Sequence, residues 1–350
     1  MLANLSVENI RCIEHATLEL DPRGTGIVGP NGAGKTSLLE AIYFLAHGRS
    51  FRTSQRSKLV GPAAREARVV GSIVLPDRTV IAGLEHGSGE TRARLGGHDV
   101  GGISEIAELL PVQVIEPGVH RLIEEGSIRR RRLLDWGVFH VEHDFLVPWR
   151  RYQRALAQRN AALRAGGDAQ VWNAELETCA SEIDQLRRSY FSGLSLQFGE
   201  LATALLGQFC EIAYERGWPG EQTLGQALHD AWPRDLRLKT TTVGPHRADL
   251  HFRVDGAVAR DRVSRGQQKI LASAFVLAQL ILSVPHTRRP CLLLDDPAAE
   301  LDVDSLGKIL GAIAQTPAQL VVTSLSTAGL RGIEIGRTFH VEQGRFAPML

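Results

Sequence analysis

The stretch GPNGAGKT, residues 29–36, decides the fold of this chain of 350 residues. It matches the phosphate-binding pattern G-x-x-x-x-G-K-[ST] at every defined position. The apolar segment 25–28 before it predicts a buried strand, and SLLEAIYFLA at 37–46 predicts a helix that ends before Gly48. Because a phosphate loop lies between a strand and a helix, this context supports a nucleotide site.

The residue types of the loop explain how it would hold phosphate. Glycines allow the backbone to curl so that its N–H groups point at phosphate oxygens. Lys35 would contact the β- and γ-phosphates of ATP, and the Thr36 hydroxyl would contact Mg²⁺. The predicted nucleotide-binding residues of the loop are Gly29, Pro30, Asn31, Gly32, Ala33, Gly34, Lys35, Thr36 and Ser37.

A second segment, LLLDD at residues 292–296, predicts a Walker B strand. Its leucines would bury the strand and leave a carboxylate beside the metal. Asp295 would bind Mg²⁺, and Asp296 would orient or deprotonate the attacking water. An acidic pair alone could also be a surface turn. Since aspartate is one methylene shorter than the glutamate that ABC-type ATPases more often use, the sequence predicts slow hydrolysis.

The segment SRGQQK, residues 264–269, resembles the signature of the ABC-type ATPase superfamily. Ser264 would be the helix N-cap, and Gly266 would let a phosphate approach closely. The predicted nucleotide-binding residues of this segment are Ser264, Gly266 and Gln267. A capped, polar start of a helix is the simpler interpretation. The Walker B strand downstream favours the signature. In that superfamily the signature of one subunit closes over the nucleotide of another, so the resemblance implies a homodimer.

The motifs are far apart, which predicts an insertion. Residues 147–165 and 171–206 predict two long helices joined by a tight turn, and residues 217–233 predict a loop. We therefore expect an α/β fold: a P-loop ABC-type ATPase head of residues 1–125 and 236–350, with an inserted α-helical lobe of residues 126–235. The other predicted elements are a hairpin of 69–75 and 79–84, strands at 240–243, 249–254, 291–294 and 320–323, and a helix at 268–282.

Composition restricts the class of protein. A net charge of +1 means that any nucleic-acid surface must be a local patch. Cys12, Cys179, Cys210 and Cys291 are widely spaced, which excludes a zinc knuckle or redox CxxC motif. The N-terminus carries charges where a signal peptide is apolar, and apolar runs are far shorter than the ~20 residues of a membrane span. We expect a cytoplasmic protein.

When these motifs are taken together, the chain resembles the RecF family of bacterial DNA replication and repair ATPases, which is related to SMC-type heads. The resemblance runs nearly end to end. It lies in GPNGAGKTSLLEAIYFLAHGRSFR (29–52), RRRRLLDWGVFHVE (129–142), QRNAALR (158–164), VGPHRADL (243–250), SRGQQK (264–269) and LLLDDPAAELD (292–302). The second, third and fourth of these segments are not general features of ATPases.

The resemblance implies a two-lobed monomer that dimerises with ATP, binds single- and double-stranded DNA and hydrolyses ATP slowly. It also implies action at gapped DNA with RecR and RecO, support for RecA loading, and a part in the SOS response. Gln113 matches the family position of a glutamine that senses the γ-phosphate and Mg²⁺, although a polar residue at a strand edge would look the same. Arg11 is a weak candidate for contacting adenine.

Two positions depart from the family pattern. Ala299 stands where these proteins often have serine before Glu-Leu-Asp, which removes a hydroxyl that could cross a dimer interface. No histidine follows the strand at 320–323, so Thr323 or Ser324 would have to serve as the switch residue. Both departures leave the expected fold unchanged.

A basic stretch predicts where DNA would bind. Residues 49–68 carry six basic residues against one acidic residue. Phosphate contacts dominate DNA affinity, so we expect Arg49, Arg52, Arg56 and Lys58 to face DNA. Residues 121–164, with ten arginines against five acids, are a weaker candidate. Either stretch could instead be a solvated face.

Other functions remain open at this point. A transporter ATPase subunit would share the nucleotide motifs, but the helical insertion is much longer than such a subunit normally carries. A zinc-hook or SMC-type coiled-coil ATPase needs long heptad arrays or a CxxC apex, and the sequence has neither. A nucleotide-gated binding module without turnover would be distinguished by measuring ATP hydrolysis with and without DNA.

Overall fold

The computed structural model describes residues 1–287, 289–298 and 303–349. The chain forms two compact units, one of Met1–Val119 with Ser283–Leu350 and the other of His120–Leu282. The first unit contains the phosphate loop and the LLLDD segment. The second contains the signature-like segment. The sequence-based boundaries assigned residues 120–125 and 236–282 to the ATPase head, so the two divisions differ at these residues.

The elements are numbered in chain order, and those of the first unit come first. Its strands are β1 (Leu2–Ile10), β2 (Ile13–Glu19), β3 (Gly24–Val28), β4 (Glu66–Val74), β5 (Thr79–Gly87), β6 (Glu90–Leu95), β7 (His98–Asp99), β8 (Val112–Ile115), β12 (Cys291–Leu294), β13 (Gln319–Ser324), β14 (Arg337–Glu342) and β15 (Arg345–Met349). Its helices are α1 (Lys35–His47), α2 (Ser104–Leu109) and α11 (Val303–Ala314).

Within the described residues, the first unit contains two six-stranded sheets. One is antiparallel, with strand order β2-β1-β4-β5-β6-β7. The other has the order β15-β14-β3-β13-β12-β8, and all its strands are parallel except β15. The carboxyl ends of β3, β13 and β12 therefore lie side by side. Ligands of open parallel sheets bind at this edge.

Helix α1 lies in the core of the first unit, against β1 and β4 of one sheet and β8 and β13 of the other. Because both sides are covered, the helix is apolar around most of its circumference, and Leu38, Ile42 and Phe44 are fully buried. Each such side chain contributes roughly 1.5–3 kcal/mol by leaving water. The helix ends as predicted, with Gly48 at a φ of 64° and its N–H bonded to the Phe44 carbonyl.

The second unit is mainly helical. Its helices are α3 (Arg121–Glu124), α4 (Ser127–Val141), α5 (Leu146–Ala165), α6 (Asn173–Leu206), α7 (Leu224–Asp230), α8 (Trp232–Leu238), α9 (Ala259–Arg262) and α10 (Arg265–Ser283). Its strands β9 (Cys210–Glu215), β10 (Asp249–Val254) and β11 (Ala257–Val258) form an antiparallel sheet in the order β11-β10-β9.

The predicted long helices are confirmed, and buried ion pairs join them to the rest of the second unit. Arg159 of α5 is fully buried and donates to Asp235 Oδ2 at 2.7 Å. Arg187 of α6 is also fully buried and donates to Asp135 Oδ1 of α4 at 2.7 Å. A Cβ at Gly137 would overlap the Tyr190 hydroxyl, so α4 and α6 pack closely there.

Two predicted elements were wrong. Residues 240–243 do not form a strand, because the Thr241 N–H bonds to Asn160 Oδ1 and the Thr242 N–H to Asp235 Oδ1, both side-chain acceptors. The predicted loop at 217–233 contains α7 and the start of α8. A reciprocal capping box between Thr223 and Gln226 starts α7, a local signal that the Gly, Pro and Trp content obscured.

The difference in unit boundaries follows from strand pairing and side-chain bonds. Strand β10 pairs along its whole length with β9 rather than with a strand of the first unit. Gln279 of α10 donates to the Leu133 carbonyl at 2.7 Å and to the Tyr190 hydroxyl at 3.3 Å. These contacts join residues 236–282 to the helical part of the chain.

Candidate functional site

The phosphate loop connects β3 to α1, as the sequence predicts. Gly32 and Gly34 have φ values of 76° and 116°, a region that side chains rarely adopt. The Gly29 N–H bonds to the Ser324 carbonyl at 3.3 Å, and a Cβ at Gly29 would overlap the Val341 carbonyl. The start of the loop is therefore fixed between the ends of β13 and β14. Its curled backbone fits a triphosphate.

Lys35 is the first residue of α1 and is 7% exposed. Its Nζ donates to the carbonyls of Gly29 and Pro30 at 2.7 and 2.9 Å. Burial lowers the pKa of Lys35, while the nearby charges of Asp296 and Asp295 oppose that shift. The lysine therefore places one concentrated positive charge within the curve of the loop.

Thr36 and Asp295 meet across 259 positions of sequence. The Thr36 hydroxyl donates to Asp295 Oδ1 at 2.9 Å and lies 3.1 Å from Oδ2. The Thr323 hydroxyl at the end of β13 donates to the same Oδ1 at 2.8 Å. Hydroxyl and carboxylate oxygens are the hard ligands that Mg²⁺ prefers, so these residues fit the metal.

Asp296 follows Asp295 and turns away from the strand. Its φ is 45°, a left-handed conformation that aspartate adopts more readily than most residues. Its N–H bonds to Thr323 Oγ1 at 2.9 Å. The pKa of Asp296 is raised, mainly by burial. The charge of Lys35 opposes this shift, and the charge of Asp295 adds to it. A carboxylate with a raised pKa beside a phosphate loop is suited to accept a proton.

Gln113 lies on β8 opposite Leu292 of β12 and is 2% exposed. Asp295 instead lies beside the end of β8, where its N–H bonds to the Ile115 carbonyl at 3.0 Å. Asp295 follows Leu292 by three positions, which corresponds to roughly 10 Å along the strand. Glu116 directly follows β8, so it is nearer than Gln113 to the end of the strand where Asp295 lies. The sensing role of Gln113 stays a prediction.

The signature-like segment starts α10 in the second unit. The Ser264 N–H bonds to Gln267 Oε1 at 2.9 Å, and the Gln267 N–H points to Ser264 Oγ at 3.4 Å. The predicted N-cap is confirmed. A Cβ at Gly266 would meet only Ser264 Oγ, at 3.9 Å, so the space over this glycine is open. No side chain among the described residues therefore covers Gly266 at the start of the helix.

The candidate DNA contacts lie on a segment that we call the basic loop, residues 49–61. Arg56 and Lys58 are exposed, and the Arg52 side chain is 48% exposed. Arg49 is half-buried. The segment therefore presents several cations to solvent.

The second basic stretch is less suited to DNA. Arg129 donates to Glu125 at 2.8 Å, and Arg130 makes two bonds to Asp249 at 2.7 and 2.9 Å. Arg159 is buried on Asp235, as described above. These arginines form structural ion pairs, which agrees with the alternative interpretation of this charge run.

The two departures from the family pattern concern Ala299 and the switch residue. Ala299 and residues 300–302 lie outside the described residues. Of the two candidate switch residues, Thr323 contacts Asp295 directly, whereas Ser324 Oγ accepts from the Ser326 N–H at 3.4 Å. The sequence patterns assigned no role to Glu40, which is fully buried and bonded to Arg11. The available signal was a carboxylate inside the apolar run LLEAIYF, where an unpaired charge would be costly.

Cys12 provides a chemical test of the site. It is the exposed member of the four cysteines, and its Sγ lies 3.7 Å from Ser37 Oγ. We expect maleimide alkylation of Cys12 to block ATP binding and MgATP to slow alkylation, as measured by mass spectrometry. Burial raises the pKa of Cys179 and Cys210 to about 11 and of Cys291 to about 12, so these should react slowly. Alkylation without loss of ATP binding would contradict this placement, and Cys12→Ser is the control.

The comparisons with known proteins agree with this geometry. The family model for the RecF/RecN/SMC N terminal domain matches residues 1–345. The DNA replication and repair protein RecF of Yersinia enterocolitica is 37% identical over 352 residues, which cover 98% of each chain. That of Azotobacter vinelandii is 39% identical over 358 residues, 98% of this chain and 97% of its own.

Solved structures show the same fold. A structure described as the recombination mediator protein RecF with ATP in the RecFOR pathway has a TM-score of 0.89 and 25% identity, covering 100% of this chain and 97% of its own. An Smc head bound to the C-winged helix domain of ScpA has a TM-score of 0.63 and 19% identity, covering 99% and 96%. Among the described residues, no helix has both the length and the apolarity to cross a membrane. The chain has an ABC-type ATPase head fold and belongs to the RecF family.

Proposed function

We propose that this chain is an ATP-dependent DNA-binding clamp that acts in DNA replication and in recombinational repair of gaps. The observation that carries the proposal is the contact between Thr36 and Asp295, with Lys35 and Asp296 beside it, in a chain of the RecF family. A transporter subunit is the alternative, and it is much less consistent with relatives that are named DNA replication and repair proteins.

The residues of the loop would bind MgATP. Lys35 would exchange its bonds to the loop carbonyls for the β- and γ-phosphates, and the loop N–H groups would hold the remaining phosphate oxygens. Thr36 and Asp295 would hold Mg²⁺, with Thr323 orienting Asp295. When bound, the metal neutralises charge that develops on the phosphates during transfer.

Asp296 would take the proton of the attacking water. Its raised pKa suits a general base better than that of an ordinary aspartate, but the short side chain limits its reach. The proposed activity is therefore a weak ATPase that DNA stimulates, in which hydrolysis to ADP and phosphate resets the clamp.

The signature residues would complete the site from a second copy of the chain. Ser264, Gly266 and Gln267 lie at the start of α10, whose N-terminal end favours negative charge. The open space over Gly266 supports contact with a γ-phosphate held elsewhere. ATP would thus join two copies head to head, and loss of the γ-phosphate would release them.

The proposed partners follow from the relatives. One solved relative is described as a recombination mediator in the RecFOR pathway. We therefore propose RecR and RecO as partners. Membership of the RecF family further leads us to propose support for RecA loading, a part in the SOS response and a cytoplasmic location.

Sedimentation velocity tests the clamp. We expect a monomer without nucleotide or with ADP, a dimer with MgATP, and co-sedimentation of that dimer with gapped DNA. ATP hydrolysis measured with and without DNA completes the test. A chain that stays monomeric with saturating magnesium and a non-hydrolysable nucleotide would contradict the proposal.

The basic loop makes a separate prediction. Replacing both Arg52 and Arg56 with alanine should weaken DNA binding and lower the slope of log K against log salt by about 2, roughly 1 for each lost phosphate contact. The measurement is DNA binding over a salt series. Alanine at the exposed Arg78 and Arg92 is the control with the same loss of charge, and an unchanged slope in the Arg52 and Arg56 variant would exclude the loop as the DNA surface.

A further inference from the structure

Glu40 is a buried carboxylate in the middle of α1, and the nucleotide chemistry does not use it. Its side chain is fully buried. It lies six residues after Gly34, the N-cap of α1. Arg11 binds it with two parallel bonds, from Nε to Oε2 at 2.9 Å and from Nη2 to Oε1 at 2.8 Å. The bond to Glu40 raises the pKa of Arg11 above its already high ordinary value.

The same carboxylate holds the beginning of the basic loop. The Ser50 hydroxyl donates to Glu40 Oε1, and Arg52 Nη1 lies 3.9 Å from Oε2. Ser50 Oγ in turn accepts the N–H groups of Arg52 and Thr53 at 2.9 and 3.0 Å, which closes a tight turn. One carboxylate thereby determines where the first exposed arginine of the loop stands.

The end of the basic loop is held by the turn between β1 and β2, residues 9–12. The Arg11 N–H bonds to the Leu59 carbonyl, and the Gly61 N–H bonds to the Asn9 carbonyl, both at 2.8 Å. Asn9 and Arg11 have φ values of 55° and 57°, so the turn is sharply bent. Arg11 therefore contacts the end of the loop through its backbone and, through Glu40, the beginning.

This turn also lies against the phosphate loop. Cys12 Sγ is 3.7 Å from Ser37 Oγ, and a Cβ at Gly34 would lie 3.3 Å from that sulfur. Phosphate loop, turn and basic loop are thus connected by contacts within the first unit. Arg11 and Glu40 lie at the centre of these contacts.

We propose that Glu40, paired with Arg11, is a positioning residue for DNA: it fixes Arg52, at the start of the basic loop, on the helix that begins at the phosphate loop. This inference rests on the proposed function, since it assumes that the basic loop contacts DNA. The physical basis of the inference is preorganisation. A cation that is already held in place loses less conformational entropy when it binds a DNA phosphate.

The sign of the effect separates positioning from simple electrostatics. Glu40→Gln removes a negative charge next to Arg52. If Glu40 only offset positive charge, the variant would bind DNA more tightly and with a steeper salt dependence. If Glu40 positions Arg52, the variant binds more weakly, by roughly 3- to 10-fold, and its salt slope falls by about 1.

The experiment measures DNA binding of the full-length chain with MgATP over a salt series, well below the melting temperature. Glu40→Gln is made in the unmutated chain and in an Arg52→Ala background. We expect the weakening in the first and little further change in the second. Ser50→Ala, which removes one hydroxyl and no charge, should weaken binding in the same direction if Glu40→Gln fails to fold.

Asp235→Asn in the second unit is the matched control, because it also neutralises a buried carboxylate that binds an arginine. It should leave the salt slope unchanged. Tighter binding by Glu40→Gln, equal weakening in both backgrounds, or an unaffected Ser50→Ala variant would overturn the inference. If the unmutated chain shows no ATP-dependent DNA binding, the proposed function fails instead.

Discussion

Replacing Lys35 with arginine is expected to abolish ATP hydrolysis, with a loss of at least about 10²-fold, the effect of removing one preorganised charge from a transition state. The Lys35 ammonium fits between the Gly29 and Pro30 carbonyls in a nearly closed space. A planar guanidinium is larger and cannot act there as a point charge. Phosphate release measured at saturating ATP checks the prediction.

The control for this variant is Lys308→Arg, the same change on the exposed surface of α11. It should leave the rate unchanged. Nucleotide binding should be measured in parallel, because the proposed role of Lys35 includes contact with ATP both before and during the reaction. A Lys35→Arg chain with more than about a tenth of the normal rate would show that the lysine is not the principal charge of the site.

Asp296→Asn is expected to slow hydrolysis by about 10²–10⁴-fold, the usual contribution of a general base, while ATP binding persists. The chain should then accumulate as an ATP-bound dimer, which sedimentation velocity would detect. The base must be deprotonated to act, so the normal rate should fall as pH drops through the Asp296 pKa. Because that pKa is raised, the fall should begin at a higher pH than for an ordinary aspartate.

The variant itself distinguishes this role from a structural one. Asparagine keeps the shape of the side chain but cannot accept the proton, so Asp296→Asn should lose the pH dependence assigned to this group. The exposed Asp77→Asn is the matched control and should keep both the rate and the pH profile. An Asp296→Asn chain that hydrolyses ATP normally would place the base elsewhere.

The sequence predicted the curled loop before α1, the strand β12 and the N-cap of α10, because the signals for these features are local. A curled loop needs glycine at particular positions, a buried strand needs a run of leucines, and a helix start needs a capping side chain. Gly34, Leu293 and Ser264 each report such a requirement through their immediate neighbours. The strand wrongly predicted at residues 240–243 has the opposite cause, since the acceptors of the Thr241 and Thr242 N–H groups are side chains outside that segment, which sequence patterns do not reveal.

The family-like segments without a role in nucleotide chemistry acquire a meaning only in three dimensions. In the segment RRRRLLDWGVFHVE, Arg130 binds Asp249 of the VGPHRADL segment, and Asp135 binds the buried Arg187. Arg159 of QRNAALR binds Asp235 inside the second unit. Breaking such a buried pair typically costs 3–5 kcal/mol, so these ion pairs help to hold the helical unit together.

The sequence by itself determined that this chain has a phosphate loop, a Walker B strand and a capped helix start, because each depends on a few adjacent residues. Tertiary structure decided which distant side chains share a site. Parallel pairing of β3, β13 and β12 brings Thr36, Asp295 and Thr323 into contact. The turn at residues 9–12 brings Arg11 to Glu40. Such contacts depend on strand order and helix placement, which no short stretch of sequence encodes.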